Sequence, residues 1–161
     1  MGTLPGGAAG RSPGTIELTS FHEDYLDAAA GLFAEAFAAE PWNEVWPAAS
    51  ARRRLADLVF SPGFLGAAAR RGDKLVGFAL GRVEAYRDEE HYCLQEMCVS
   101  PEYRGQGIGT MLVRHLEERL KERGCRQVYL LTLRDSGPES FYLRCGFSPA
   151  RRVGVMVKRL E

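Results

Sequence analysis

The segment Val99-Ser100-Pro101-Glu102-Tyr103-Arg104-Gly105-Gln106-Gly107-Ile108-Gly109-Thr110 constrains this chain more than any other. It follows a β-prone run, Leu94 to Val99, and opens a stretch, Gly109 to Arg123, in which Leu112, His115, Leu116, Arg119 and Leu120 recur at helical spacing. Gly124 stands where a helix C-cap belongs, and Gln127 to Leu133 is β-prone again. Strand, helix, strand at this spacing is a crossover, which sets the strands around Glu96 and Leu130 parallel and adjacent. Three glycines at the helix start leave backbone N–H groups bare at the positive end of the helix dipole, a turn suited to a phosphate. A P-loop would end in Gly-Lys-Ser/Thr, whereas Ile108-Gly109-Thr110 brings no lysine. A dinucleotide fold places its Gly-x-Gly-x-x-Gly early in a βαβ unit, and here the glycines alternate late in the chain.

The remaining pattern supplies elements on either side. Thr15 to Thr19 reads as a first strand, and Ser20 with Glu23 fits a capping box for a helix from His22 to Ala39, stopped by Pro41. A loop with Trp42 and Trp46 leads to a second helix, Ala48 to Phe60. Phe64 to Arg71 and Lys74 to Glu84 form a hairpin about Gly72-Asp73. Ser136 with Glu139 repeats the capping box before a short helix to Cys145, and Val153 to Lys158 reads as a last strand. The order β α α β β β α β α β predicts a mixed sheet flanked by helices, of α/β (α+β) class. Residues 15–161 read as one domain behind a Gly/Ala/Pro-rich flexible tail, residues 1–14.

Composition narrows the function classes. Twenty-one basic residues balance twenty-one acidic ones, so no net field draws nucleic acid or an anionic membrane. No apolar run reaches the ~20 residues that span a bilayer, and the N-terminus lacks a signal-peptide pattern. Cys93, Cys98, Cys125 and Cys145 show no metal-ligand spacing and read as free thiols of a cytoplasmic protein. No metal site is expected.

Arg104-x-x-Gly107-x-Gly109 resembles the pyrophosphate loop of the GNAT superfamily of acyl-CoA-dependent N-acetyltransferases. Phe141-Tyr142-Leu143-Arg144-Cys145-Gly146-Phe147 is similar to that family's second hallmark, a tyrosine four residues before Gly-Phe. The resemblance spans about Thr15 to Glu161 and implies a GNAT fold with a splayed parallel strand pair that takes acetyl-CoA as co-substrate. It implies main-chain pairing of Met97, Cys98 and Val99 with the pantetheine arm, and a diphosphate held by Arg104, Gly105, Gln106, Gly107, Ile108, Gly109 and Thr110. Asp135 stands where many relatives have an asparagine that helps hold the cofactor; a carboxylate accepts but does not donate as an amide does.

The implied reaction moves acetyl directly to an amine, which must lose a proton from a group of pKa about 10.4 before it attacks. Tyr142 occupies the family position of the acid that returns a proton to the departing thiolate; packing alone is the rival reading. Glu96, a carboxylate within a central strand, is the candidate base or acceptor-binding group, against a structural ion pair with an arginine. Regular pairing turns Gln95 to the opposite face from Glu96, unless a bulge breaks the alternation. Gln95 stands where spermidine/spermine acetyltransferases have the first of two acids, so polyamine specificity does not carry over. Trp42 and Trp46 are candidate walls of the acceptor pocket, His91 a candidate to reach it, and Thr132 a candidate to hold water near the thioester. The run Arg52-Arg53-Arg54 reads as a solvated helix face. The expected partner is a small-molecule amine, with a homodimer left open. A protein N-terminal or lysine acetyltransferase and a non-catalytic acyl-CoA-binding regulatory module are the alternatives.

Overall fold

The structure is a computed structural model that describes residues 14–160. The tail expected over residues 1–14 therefore lies, apart from Gly14, outside the described residues. The chain divides into two compact units between Leu131 and Thr132.

In the first unit, β1 (Ile16–Ser20) is followed by a 3-10 turn (Glu23–Tyr25), α1 (Leu26–Ala38) and α2 (Ala48–Val59). Next come β2 (Phe64–Arg71), β3 (Lys74–Tyr86), β4 (Glu89–Val99), a 3-10 turn (Pro101–Tyr103), α3 (Ile108–Arg123) and β5 (Gln127–Leu130). The five strands lie in sequence order, antiparallel from β1 to β4 and parallel between β4 and β5. Gly72, at φ 61°, turns the β2–β3 hairpin in a conformation that costs other residues a Cβ clash.

Leu26, Ala29, Ala30 and Phe33 of α1 and Ala51, Leu55 and Leu58 of α2 pack with Ala68, Phe78, Leu80 and Cys98 in one buried cluster. One strand position along, the face reverses: a Cβ on Gly77 would meet Leu112 and Ile108 of α3 at 3.2 and 3.4 Å. The sheet is thus covered by α1 and α2 on one side and by α3 on the other.

β4 changes face partway. Leu80 of β3 pairs with Glu96, but the next residue, Gly81, pairs with Leu94, so Gln95 is an extra residue and β4 is bulged there. Before the bulge Tyr92 lies across from Val83 and against Gly81, on the α3 side. After it, Cys98 joins the α1–α2 cluster. Both sets are buried, and only a bulge permits even-numbered residues to serve two faces.

Two local expectations need correction. Ser20 and Glu23 form no capping box: His22 caps the 3-10 turn without a side-chain hydrogen bond, and Tyr25 does the same for α1. The strands around Glu96 and Leu130 are parallel and adjacent as expected, their ladder running from His91 opposite Gln127 to Leu94 opposite Leu130. In the second unit α4 (Gly137–Arg144) is the one helix among the described residues, and Val153 to Lys158 forms no strand. Alternating Val153, Val155 and Val157 suit a pleated surface, yet a strand exists only on a ladder, and here Val155 and Met156 stay 66% and 97% exposed.

Candidate active site

Three features of the first unit converge on β4. At the bulge, the carboxylate of Glu96 is buried at 6% exposure on the α1–α2 side and accepts a hydrogen bond at Oε1 from Arg54 Nε of α2. Burial pushes the Glu96 carboxyl above its ordinary value; Arg54 opposes that shift and Glu44 adds to it. Arg54 in turn has its guanidinium 5.5 Å from the Trp46 ring, whose Nε1 donates to Glu44 Oε2 at 2.9 Å. An open cavity of about 590 Å³ adjoins this pair, lined among others by Ser50, Arg53, Arg54, Arg82, Gln95 and Glu96. Gln95 and Glu96 both reach it, because the bulge undoes the alternation that would have separated them.

The second feature is the end of the parallel ladder. β5 pairs with β4 only over His91 to Leu94, while β4 runs on through Met97, Cys98 and Val99. Cys98 packs in the buried α1–α2 cluster, and burial holds its thiol well above the ordinary range, with Glu96 adding to the effect and Arg104 opposing it.

The third is the start of α3. Gly107 is its N-cap at φ 80° and brings no side chain to the helix end, no acid stands in the first turn, and the first intrahelical bond is Met111 N–H to Gly107 O at 3.0 Å. The N–H groups of Ile108, Gly109 and Thr110 are thus left for another acceptor. Cβ atoms built on Gly105 or Gly107 meet nothing within 4 Å, so the loop is open to a group approaching the backbone. Glu102, the nearest acid, is held by Lys74 at 2.9 Å. Arg104 turns its side chain elsewhere: Nη2 donates to Ala36 O, in the last turn of α1, at 3.3 Å, which leaves the loop's anion capacity to the backbone.

In the second unit Ser136 Oγ caps α4 by accepting from Glu139 N–H at 3.3 Å, and Glu139 accepts from Asp135 N–H at 2.7 Å and pairs with Arg134 at 2.9 Å. Asp135 sits at φ 54°. Tyr142 meets Phe141 and Phe147 edge-on, at 5.1 and 5.6 Å between ring centres. Thr132 lies beyond β5, its Oγ1 buried without a protein hydrogen bond, a state that suits a bound water.

The structure thus gathers Gln95, Glu96 and the Trp46–Arg54 pair, and separates others from them. Trp42 packs on Phe37 at 5.2 Å, and neither tryptophan lines the cavity. His91 is 3.0 Å from Glu89 and stacks on Tyr86 at 4.4 Å, outside the lining. The arginine run is exposed, as expected, and each member is also ion-paired: Arg52 with Asp27 at 2.7 Å, Arg53 with Asp57 at 4.0 Å, and Arg54 with Glu96. Sequence reasoning missed Arg54 and Arg82. Arg54 carried a signal, since it sits three residues after Ala51 and four before Leu58, at the margin of the buried stripe of α2.

Residues 26–147 match the acetyltransferase (GNAT) family, and the chain belongs to it. An acetyltransferase of Pectobacterium atrosepticum is 28% identical over 121 residues, 75% of this chain and 79% of that protein. Among solved structures, a possible acetyltransferase from Clostridium difficile 630 superposes with a TM-score of 0.77 at 16% identity, over 91% of this chain and 99% of that one. The aminoglycoside N-acetyltransferase AAC(6')-Iy in complex with CoA gives 0.71 at 16% identity, over 91% and 96%. At such identities the structural matches speak to the fold: a mixed five-stranded sheet with a parallel β4–β5 pair, as in GNAT acetyltransferases.

Proposed function

We propose that this acetyltransferase takes acetyl-CoA as donor and transfers the acetyl group directly to the amine of a small molecule. The observation that carries the reading is the continuous run from bulge to helix: Glu96 at a cavity, three strand residues past the end of the β5 ladder, then an uncapped helix start. Met97 to Val99 suit an extended, amide-bearing arm, which pairs with a strand as a missing neighbour would. The first-turn N–H groups of α3 suit a diphosphate, and open space at Gly105 and Gly107 lets it come close. When bound, acetyl-CoA supplies the acetyl group activated as a thioester.

The chain's own groups then hold and move protons. Glu96 accepts the amine proton, directly or through water, at Oε2, which no donor among the described residues occupies. Its burial raises its basicity toward working pH, while Arg54 limits that rise and fixes the carboxylate's orientation. The Tyr142 phenol returns a proton to the thiolate, Asp135 supports the cofactor from the loop before α4, and Trp42 and Trp46 brace the acceptor side. No cysteine nucleophile is required. Thiols at all four cysteines accord with a cytoplasmic protein. The test has two arms: acetyl-CoA should raise the melting temperature by mass action, and an amine panel should release free thiol from it. Binding without release for any amine would make the protein a carrier or sensor of acyl-CoA.

A further inference from the structure

We infer that the acceptor carries an anionic group, a carboxylate or phosphate, which Arg82 with Arg53 and Arg54 holds while its amine faces Glu96. This rests on the acetyl-transfer reading above. The cavity lining has three guanidinium groups and the carboxylates of Glu96 and Asp57. Each arginine meets its carboxylate through Nε: Arg54 to Glu96, Arg82 to Glu84 at 3.0 Å, Arg53 to Asp57 at 4.0 Å. A guanidinium has five N–H donors, four of them on the terminal nitrogens. Among the described residues no acceptor takes a hydrogen bond from those terminal nitrogens, and the side chains remain 85%, 51% and 44% exposed for Arg53, Arg54 and Arg82.

An occupant that fills the cavity strips water from these forks. A carboxylate or phosphate restores the lost hydrogen bonds in pairs, the geometry for which guanidinium is suited. A polycation restores none, and the carboxylates that could receive it, Glu96, Asp57 and Glu84, are already engaged by the three arginines. Gln95, the bulge residue, adds an amide and no further negative charge. The Arg54 fork is held between the Trp46 ring and Glu96, Arg53 stands beside it on α2, and Arg82 sits on β3 opposite Cys93, so all three come from regular elements.

The experiment uses matched amines that differ in the anion: phenylalanine against phenethylamine, O-phosphoethanolamine against ethanolamine, with spermidine as the polycation. With acetyl-CoA saturating, the wild-type chain should favour the anionic member of at least one pair by tenfold or more in kcat/KM. The pair that shows the preference separates carboxylate from phosphate. Arg82→Gln should bring that ratio close to one by raising the KM of the anionic member more than that of its neutral partner. Arg53→Gln, at an exposed helix position that folding does not depend on, should lower the same ratio. Equal or better turnover of the neutral amines or spermidine overturns the inference and leaves acetyl transfer intact. So does a ratio unmoved in both variants. Absence of thiol release with every amine defeats the acetyl-transfer reading itself, and the inference with it.

Discussion

The loop before α3 and the cleft beside α2 do comparable jobs with opposite materials. The loop offers backbone: Gly105 and Gly107 at positive φ, an uncapped helix end, and an arginine whose side chain is occupied with α1. The cleft offers side chains drawn from three elements, Arg54 of α2, Arg82 of β3 and Glu96 of β4, fixed by an ion pair and an aromatic ring. A backbone site binds whatever presents a diphosphate and tolerates drift in most side chains. A side-chain site can be rewritten one residue at a time. On the proposed reading the donor end stays constant while the acceptor end sets specificity.

The largest expected effect tests whether chemistry separates from donor binding. Tyr142→Phe keeps the ring packed on Phe141 and Phe147 and removes one oxygen. Turnover should fall by about 10² to 10⁴, with the acetyl-CoA melting shift unchanged. Turnover at the wild-type level would assign Tyr142 to packing, and a lost shift would break the separation between the two ends.

A second test isolates the backbone site with a matched control. Gly107→Val and Gly124→Ala both place a side chain at positive φ, 80° and 90°, at opposite ends of α3, where no atom lies within 4 Å of the new Cβ. Both should lose about 1 to 2 kcal/mol to the left-handed backbone. Only Gly107→Val should also lose the ligand shift, about 2.7 kcal/mol at a hundredfold excess over Kd. Equal shifts in the two variants, read by calorimetry, would remove the diphosphate from this loop.

The same contrast explains what the sequence disclosed. The backbone of the loop before α3 was legible because glycine spacing at a strand-to-helix junction states a conformation, and α3 with its Gly124 cap follows from local pattern. The hairpin and α2 were legible for the same reason, within a residue or so of Phe64–Arg71 and Ala48–Val59. The cleft was not, because residues far apart in sequence meet only once the sheet forms: Arg54 and Glu96 are 42 positions apart. Gln95 shows the limit of local pattern: alternation alone would turn it away from Glu96, and the bulge that was the stated exception is what brings both to the cavity. The strand expected at Val153 to Lys158 failed on the same ground, β-propensity without a ladder.

A smaller effect probes the Arg54–Glu96 pair within the cleft. Arg54 holds the Glu96 carboxyl down against burial, so Arg54→Met should raise the base pKa and move the acidic limb of kcat/KM to higher pH. At a pH on that limb the loss should be about tenfold, the consequence of a one-unit displacement. A limb that stays in place would detach Glu96 from proton transfer.

The smallest effect is on stability, and its sign separates burial from pairing. Burial is the leading influence on Glu96 and leaves its carboxyl above the ordinary value despite Arg54. The folded chain therefore binds more proton at this site than the unfolded chain does, over the range from the ordinary carboxylate pKa of about 4.3 up to the folded value. The contribution of Glu96 to stability is complete below that range and declines as pH rises through it. Glu96→Gln keeps the shape and removes the titration, so its stability relative to wild type should improve with rising pH across the same range. By pH 7 the variant should be no less stable than wild type, because a neutral amide is cheaper to bury and Arg54, half exposed, remains hydrated. Urea midpoints of both proteins at pH 4 and pH 7 decide it. A variant that grows relatively weaker toward neutrality would show that the ion pair outweighs burial, and the carboxylate would then be held for structure.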